Sequence, residues 1–277
     1  MKIGAHVSAG GGLPNTPERA AALGLECFQF FSRSPQGGRV PALGQKDAAF
    51  FRKLCEQFGF NEYYIHAPYV INLASPVPRI RENSIEIMRS ELERGTLLGV
   101  SKMMTHVGSA NGVDRGQGVA LVIDGINRIL DGYDGSTRFL VEISAGAGSV
   151  IGCTFEEVRD IVAGVGHEML GICFDTAHAF ASGYDLRTAE SVAATMKKFD
   201  TAIGLDRLEL SHCNDSLADI GERKDRHANL GDGRIGVDGF RAIMDSPAFS
   251  AVNLILETPH EDVAKDIALL KRLRNEK

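Results

Sequence analysis

The chain has 277 residues, of which 44% are hydrophobic, and a formal net charge of −6. Such a chain can bury one large core or two ordinary ones, and it contains no apolar run long enough to span a bilayer. Taken alone, the negative charge argues against nucleic-acid binding. Five scattered cysteines without a CxxC pair argue against a disulfide framework and a thiolate zinc site. Together with a start unlike a signal peptide, they favour a reducing, cytoplasmic location.

Short apolar runs alternate along the chain with segments whose apolar residues recur at helical spacing. The predicted strands are residues 2–7, 27–31, 63–67, 102–107, 138–143, 170–175, 207–212 and 253–257. The predicted helices are residues 14–23, 46–58, 78–98, 119–130, 155–165, 189–203, 237–244 and 262–274. Eight strand–helix units without a compositional break predict a single α/β domain over residues 1–277, a (β/α)₈ barrel. A doubly wound open sheet is the alternative.

Six predicted strands end on a side chain that can bind a metal, and such ends share one face of a barrel. They are His66, His106, Glu142, Asp175, His212 and Glu257, and the following loops add His178, Asp225 and His227. Each has an ordinary structural explanation, such as a helix cap for Asp175 or a solvated loop for residues 211–236. Converging carboxylates, however, would repel one another unless cations neutralised them.

Histidine and carboxylate ligands without thiolate suit zinc, with manganese or iron as alternatives. Nine such residues imply two or three ions, at three or four ligands each. A GxGxxG pattern between Gly231 and Gly236 follows a loop instead of a strand, so that it does not indicate a dinucleotide site. We therefore expect no nucleotide cofactor.

Six segments together closely resemble the endonuclease IV family of zinc-dependent apurinic/apyrimidinic (AP) endonucleases. These segments read GAHVSAGGG, IHAPYVINLASP, THVGS, FDTAHAFASGYD, HCNDS and DRHANLGDGRIG. The resemblance implies a (β/α)₈ barrel with three Zn²⁺ ions, which would offset the net charge. It also implies a monomer that hydrolyses the phosphodiester 5′ to an abasic site in double-stranded DNA, leaving a 3′-hydroxyl.

By the same resemblance, Glu142, Asp175, His212 and Glu257 would hold one zinc ion. His66 and His106 would hold a second that Glu142 bridges, while His178, Asp225 and His227 would hold the third. The implied catalytic residues are Glu142, Asp175 and Glu257. The residues expected to contact DNA are Tyr69, Arg33, Gln36, Arg223, Lys224 and Arg226, and Arg39 and Arg115 are further basic residues of the same face.

The chain departs from the family pattern in three places. Residues 142–148 read EISAGAG where ENTAGQG is usual, and Leu217 stands where NDSK has its lysine. The loop after the second strand lacks the Arg and Trp with which some members probe the DNA stack. These differences affect the expected lesion preference and DNA affinity, and they leave the ligand set intact.

Two other functions fit parts of the pattern. Xylose isomerase-like sugar isomerases and epimerases also collect Glu, Asp and His at strand ends, but they bind one or two ions. The group of Asp225, His227 and His178 therefore favours phosphoester cleavage. A non-enzymatic scaffold would leave nine intact ligand residues unexplained.

Overall fold

The computed structural model describes residues 1–38, 40 and 42–276, so Arg39 lies outside the described residues. Eight parallel strands form a barrel: β1 (Ile3–His6), β2 (Cys27–Phe30), β3 (Tyr63–His66), β4 (Lys102–Thr105), β5 (Arg138–Glu142), β6 (Leu170–Asp175), β7 (Leu208–His212) and β10 (Asn253–Leu256). The barrel is closed in the order β1-β10-β7-β6-β5-β4-β3-β2. A small antiparallel pair, β8 (Asp215–Ser216) and β9 (His227–Ala228), lies in the loop after β7.

Helices follow the strands and form the outer layer of the barrel. They are α1 (Asn15–Ala22), α2 (Gln45–Gln57), α3 (Pro78–Leu98), α4 (Arg115–Leu130), α5 (Phe155–Val165), α6 (Thr176–Ala181), α7 (Ala189–Ala202), α8 (Gly236–Asp245) and α9 (Val263–Asn275). The predicted (β/α)₈ barrel is confirmed, and the eight predicted helices lie within a few residues of observed ones. None of the described helices is both long and apolar enough to cross a membrane.

The prediction missed short elements and one helix start. Helix α4 begins at Arg115, four residues before the prediction, because its first turn (RGQG) has no apolar residue and Asp114 caps it. Helix α6, at six residues, is too short to show a period, and so are the two-residue strands β8 and β9.

One fully buried layer of side chains fills the middle of the barrel. It consists of Cys27, Tyr64, Met104, Leu140, Cys173, Leu210 and Ile255, one residue from each strand except β1. Strand β1 contributes Gly4, where a Cβ atom would lie 2.7 Å from Ile255 Cδ1 and 2.8 Å from Cys27 Sγ. The layer is therefore packed so closely that its eighth position has no room for a side chain.

All five cysteines of the chain are buried and unpaired in this fold. Burial raises the pKa of the Cys55 thiol to about 12 and that of Cys173 to about 11. The thiols therefore stay protonated and act as small apolar side chains, as the sequence predicts for most of them.

Candidate metal centre

A polar layer lies directly above the apolar layer of the barrel. Alternate residues of a strand face the same side, so the residue two positions after each apolar-layer residue also points inward. Those positions are His6, Gln29, His66, His106, Glu142, Asp175, His212 and Glu257. Six of the eight are predicted ligands, which explains why strand ends from all round the barrel meet at one point.

Three groups of side chains in this region place their ligand atoms within 4.8 Å of one another. The groups are Glu142, Asp175, His212 and Glu257; His66, His106 and Glu142; and Asp175, His178 and His227. In the first group, His212 Nδ1 lies 2.9 Å from Glu142 Oε1 and 3.3 Å from Glu257 Oε2. The first two groups coincide with ligand sets that the resemblance implies, and the third contains His178 and His227 of the remaining set with Asp175 in the place of Asp225.

Asp225 also faces the third group, although its side chain is half exposed. Its Oδ1 atom lies 3.2 Å from His178 Nε2 and 3.5 Å from His227 Nε2, and the two ring nitrogens are 3.3 Å apart. Because β9 pairs with β8, His227 is held opposite Ser216 and Asp225 is carried over the mouth of the barrel. The structure thus brings all nine predicted ligand residues into one region.

Four of the five ligand-type histidines present Nε2 to the carboxylates. In three of them Nδ1 faces a backbone carbonyl: Ala67 for His66, Ile143 for His178 and Glu257 for His227, at 2.6, 3.0 and 3.3 Å. In His106, Nδ1 lies 3.4 Å from Ser144 Oγ. His212 is reversed, since its Nδ1 faces Glu142 and its Nε2 lies 2.7 Å from Gln29 Oε1.

The site is electrostatically coupled. Burial alone would raise the pKa of the Glu142 carboxyl, but neighbouring His106 and His212 outweigh it and hold the pKa well below its usual value. Burial likewise opposes protonation of His178, yet the carboxylates of Asp175 and Asp225 raise the pKa of its ring well above the ordinary value. The carboxylates of the site thus favour positive charge on His178, which is the charge that a cation would supply.

One atom tests whether a cation fits. Glu142 Oε2 is buried and makes no hydrogen bond within the described structure, while Nε2 of His66 and of His106 lie 3.4 and 3.6 Å from it. An unsatisfied buried carboxylate oxygen is costly, and a divalent cation between these three side chains would satisfy it. The donor set, nitrogen and carboxylate oxygen without thiolate, fits a zinc-type ion.

Two buried residues, Asn214 and Asp215, support the ligands, and the sequence did not indicate either of them. Asn214 donates through Nδ2 to Asp175 Oδ2 at 2.8 Å and accepts at Oδ1 from the backbone N–H of Glu257 at 2.7 Å. Asp215 accepts backbone N–H groups from Gly231, Gly233, Ile235 and Gly236 at 2.9 to 3.2 Å. The GxGxxG segment thus wraps around a buried carboxylate of its own chain, which explains its glycines without a nucleotide.

His6 and Gln29 were also passed over, although their position could have indicated them. Each stands two residues after an apolar-layer position near the end of its strand, as the ligands do. Gln29 is fully buried, and His6 lies 3.8 Å from Glu257. Burial, more than any neighbouring charge, lowers the pKa of His6 to about 4.

A cavity of about 930 Å³ opens onto this centre, and Tyr69, Phe31 and His260 are among the residues that line it. Tyr69 is 69% exposed and meets the Phe31 ring edge-on at 5.3 Å. Of the other residues predicted to contact DNA, Gln36, Arg223, Lys224 and Arg226 are exposed in loops on this face.

Two arginines of the predicted basic set are held in ion pairs. Arg33 lines the cavity, but its side chain is only 8% exposed because Nε lies 2.6 Å from the buried Glu91 carboxylate. Arg115 makes a bidentate ion pair with Glu157, in which Nε lies 2.6 Å from Oε1 and Nη2 lies 2.9 Å from Oε2. Arg33 thereby fixes its loop to α3, and Arg115 joins the first turn of α4 to α5 while its side chain stays 41% exposed.

Comparison with known proteins identifies the family. The family model for the xylose isomerase-like TIM barrel matches residues 17–273. Probable endonuclease 4 of Carboxydothermus hydrogenoformans is 39% identical over 276 residues, which cover 100% of this chain and 97% of that protein. Probable endonuclease 4 of Methanoculleus marisnigri is 40% identical over 274 residues, which cover 98% of this chain and 97% of that protein. The chain belongs to the endonuclease IV family.

Solved structures agree with this assignment. Endonuclease IV from Thermus thermophilus superposes with a TM-score of 0.89 at 34% identity, and each chain is covered completely. A D-tagatose 3-epimerase-like protein superposes with a TM-score of 0.75 at 20% identity, which shows a shared fold only. The chain is therefore an endonuclease IV-type nuclease with a candidate metal centre in a TIM barrel.

The departures from the endonuclease IV pattern fall beside the ligands. Ile143, at the usual asparagine position, buries its side chain, while its carbonyl still accepts from His178. Ala147 is exposed, so the usual glutamine would have stood at the surface. Leu217 is 57% exposed, and its backbone N–H pairs with Arg226. None of these changes removes a ligand-type residue, and the two exposed ones alter the surface beside the centre.

Proposed function

We propose that this nuclease is an AP endonuclease that hydrolyses the phosphodiester 5′ to an abasic site in double-stranded DNA and leaves a 3′-hydroxyl. It would use three Zn²⁺ ions and no nucleotide cofactor, and it would act as a monomeric single-domain protein of the cytoplasm. The observation that carries the proposal is the third ligand group, in which His178, His227 and Asp225 converge beside the two groups that share Glu142. The relatives' names support the same assignment.

Bound divalent cations would supply an acidified water molecule as nucleophile and positive charge for the phosphoryl oxygens. The side chains of this protein would set where those cations lie. Glu142 sets the spacing of two groups, because Oε1 faces His212 while Oε2 faces His66 and His106. Asp175 contributes to the first and third groups, and Asn214 fixes its carboxylate.

The cavity beside the centre supports an abasic site as the proposed substrate. An abasic nucleotide has no base to unstack, so rotating it out of the duplex costs less than flipping an intact nucleotide. Tyr69, exposed beside the cavity, would stack against the duplex next to the lesion, and the loop with Arg223, Lys224 and Arg226 would contact the phosphate backbone. The acidic net charge does not oppose this, since cations would neutralise the carboxylates of the centre.

Metal analysis combined with a nicking assay tests the proposal. We expect about three divalent ions per chain, one for each of the three ligand groups, and cleavage of a duplex with one abasic site. A DNA polymerase should extend the product, because its end is a 3′-hydroxyl. About one metal per chain without nicking would contradict the proposal and favour a sugar isomerase or epimerase.

The substitution Glu142→Gln tests the shared ligand. It removes the carboxylate between two groups, and we expect nicking to fall about 10²- to 10³-fold, as for loss of a strong electrostatic contact in the transition state. Metal content should fall as well. Glu86→Gln, which changes an exposed carboxylate on α3, is the matched control and should behave as the unmodified chain does. Equal nicking by the two variants would remove Glu142 from the mechanism.

A further inference from the structure

We propose that Gln29 is a positioning residue that selects the ring nitrogen with which His212 binds a cation, and that it holds Glu257 in the same site. The inference rests on the proposed metal-dependent function. Gln29 is fully buried at the inward position of β2, two residues after Cys27 of the apolar layer. Its Oε1 lies 2.7 Å from His212 Nε2, and its Nε2 lies 2.6 Å from Glu257 Oε1.

The orientation of the Gln29 amide follows from its neighbours. An ionised carboxylate only accepts hydrogen bonds, so the amide NH₂ group must face Glu257 and the amide oxygen must face His212. The second N–H of that NH₂ group points to His6 Nδ1 at 3.0 Å. With both of its donors used, Gln29 offers His212 an acceptor, and His212 must therefore carry its proton on Nε2.

This proton position leaves Nδ1 of His212 as the lone pair that meets a cation. Nδ1 already faces Glu142 Oε1 at 2.9 Å and Glu257 Oε2 at 3.3 Å. The partner of a ligand histidine's second nitrogen fixes both the tautomer and the ring orientation. Gln29 would thus assemble two of the four ligands in the first group at once.

Loss of the Gln29 amide should affect only one of the three ligand groups. His66, His178 and His227 direct Nδ1 to backbone carbonyls, which no side-chain substitution removes. His212 is the ligand-type histidine whose second nitrogen meets a side-chain amide, and Gln29 supplies it. Loss of that amide should weaken the Glu142, Asp175, His212 and Glu257 group and leave the third group unchanged.

The variant Gln29→Met, which keeps the length of the side chain and removes its polar atoms, tests this. Zinc titration against a competing chelator should show one ion bound about 10- to 100-fold more weakly, the range for loss of such a partner. Met104→Leu, a volume-conserving change in the apolar layer, should bind zinc as the unmodified chain does. Should Gln29→Met not fold, Gln29→Asn keeps the amide but is one methylene too short for both bonds, and it should weaken the same ion.

A spectroscopic readout tests the tautomer without DNA. Long-range ¹H–¹⁵N spectra of the zinc-loaded protein should show one ligand histidine protonated on Nε2, and the signal should be lost in His212→Ala. Protonation of every ligand histidine on Nδ1, or unchanged zinc affinity in both Gln29 variants, would overturn the inference. These readouts need no DNA cleavage. A chain with the expected zinc and tautomer behaviour that fails to nick abasic DNA would contradict only the proposed function.

Discussion

Leu217 replaces the lysine of the family's NDSK motif and presents an exposed apolar side chain beside the catalytic face. Leu217→Lys should add a cation that can contact a phosphate, tighten binding of an undamaged duplex at low salt, and steepen the slope of log affinity against log salt by about 1. Fluorescence anisotropy across a salt series measures this.

Leu205 provides the control for Leu217. It is an exposed leucine just before β7, at the opposite end of the barrel, so Leu205→Lys adds the same charge far from the proposed DNA path. If both variants tighten binding equally, the gain is a general charge effect, and Leu217 has no specific place on the DNA-binding face.

At the scale of an element, the loop between β7 and α8 is built around the buried Asp215. Asp215→Asn leaves one oxygen for five backbone N–H groups, because Ser216 also donates to this carboxylate. The NH₂ group of the substituted side chain would then point at backbone N–H groups, which are also donors. We expect a loss of about 1–3 kcal/mol in the free energy of unfolding, measured by urea denaturation of the metal-free protein.

Asp219→Asn is the matched change in the same loop. Asp219 is exposed and lies 3.3 Å from Arg234 in a surface ion pair, which contributes little to stability. Similar losses for the two variants would mean that the carboxylate of Asp215 does not organise the loop.

The segment from Arg223 to Arg226 is the other testable part of this loop. Arg223 adopts φ = 57°, an uncommon backbone conformation for a residue with a side chain, and its backbone N–H bonds to Ala181. We expect Arg223→Glu to weaken DNA binding and flatten its salt slope by about 1–2. Arg159→Glu on the outer helix α5 should bind DNA unchanged, and equal effects of the two reversals would deny this loop a DNA-facing role.

Periodicity along the chain predicts the barrel but not the buried contacts of its loops. Strand and helix periods predicted the barrel, and alternation within strands put His66, Glu142 and His212 on one inner face. Asn214 and Asp215 could not be found in this way, because they bind backbone groups that only the folded loop brings together. The ion pair of Arg33 could not be predicted either, because its buried partner Glu91 lies 58 positions away in the sequence.

For the whole molecule, the barrel core and the metal centre occupy different layers. The apolar layer lies beneath the ligands and needs no cation for its packing. We therefore expect a chelator to abolish nicking while the far-UV circular dichroism stays native. The melting temperature should fall, since ligands that bind only the folded state stabilise it by mass action. Loss of helical signal on chelation would show instead that the metals are required for folding.

Because all five thiols are buried, we expect the folded protein not to react with maleimides and similar thiol reagents. A single cysteine introduced at an exposed position, such as Leu217→Cys, would be the one thiol that a dye can reach without unfolding the protein. A dye placed there would sit on the loop that carries Arg226 and would report the binding of DNA to that loop by its change in emission. Because the natural cysteines are buried, they need not be replaced before such a label is introduced.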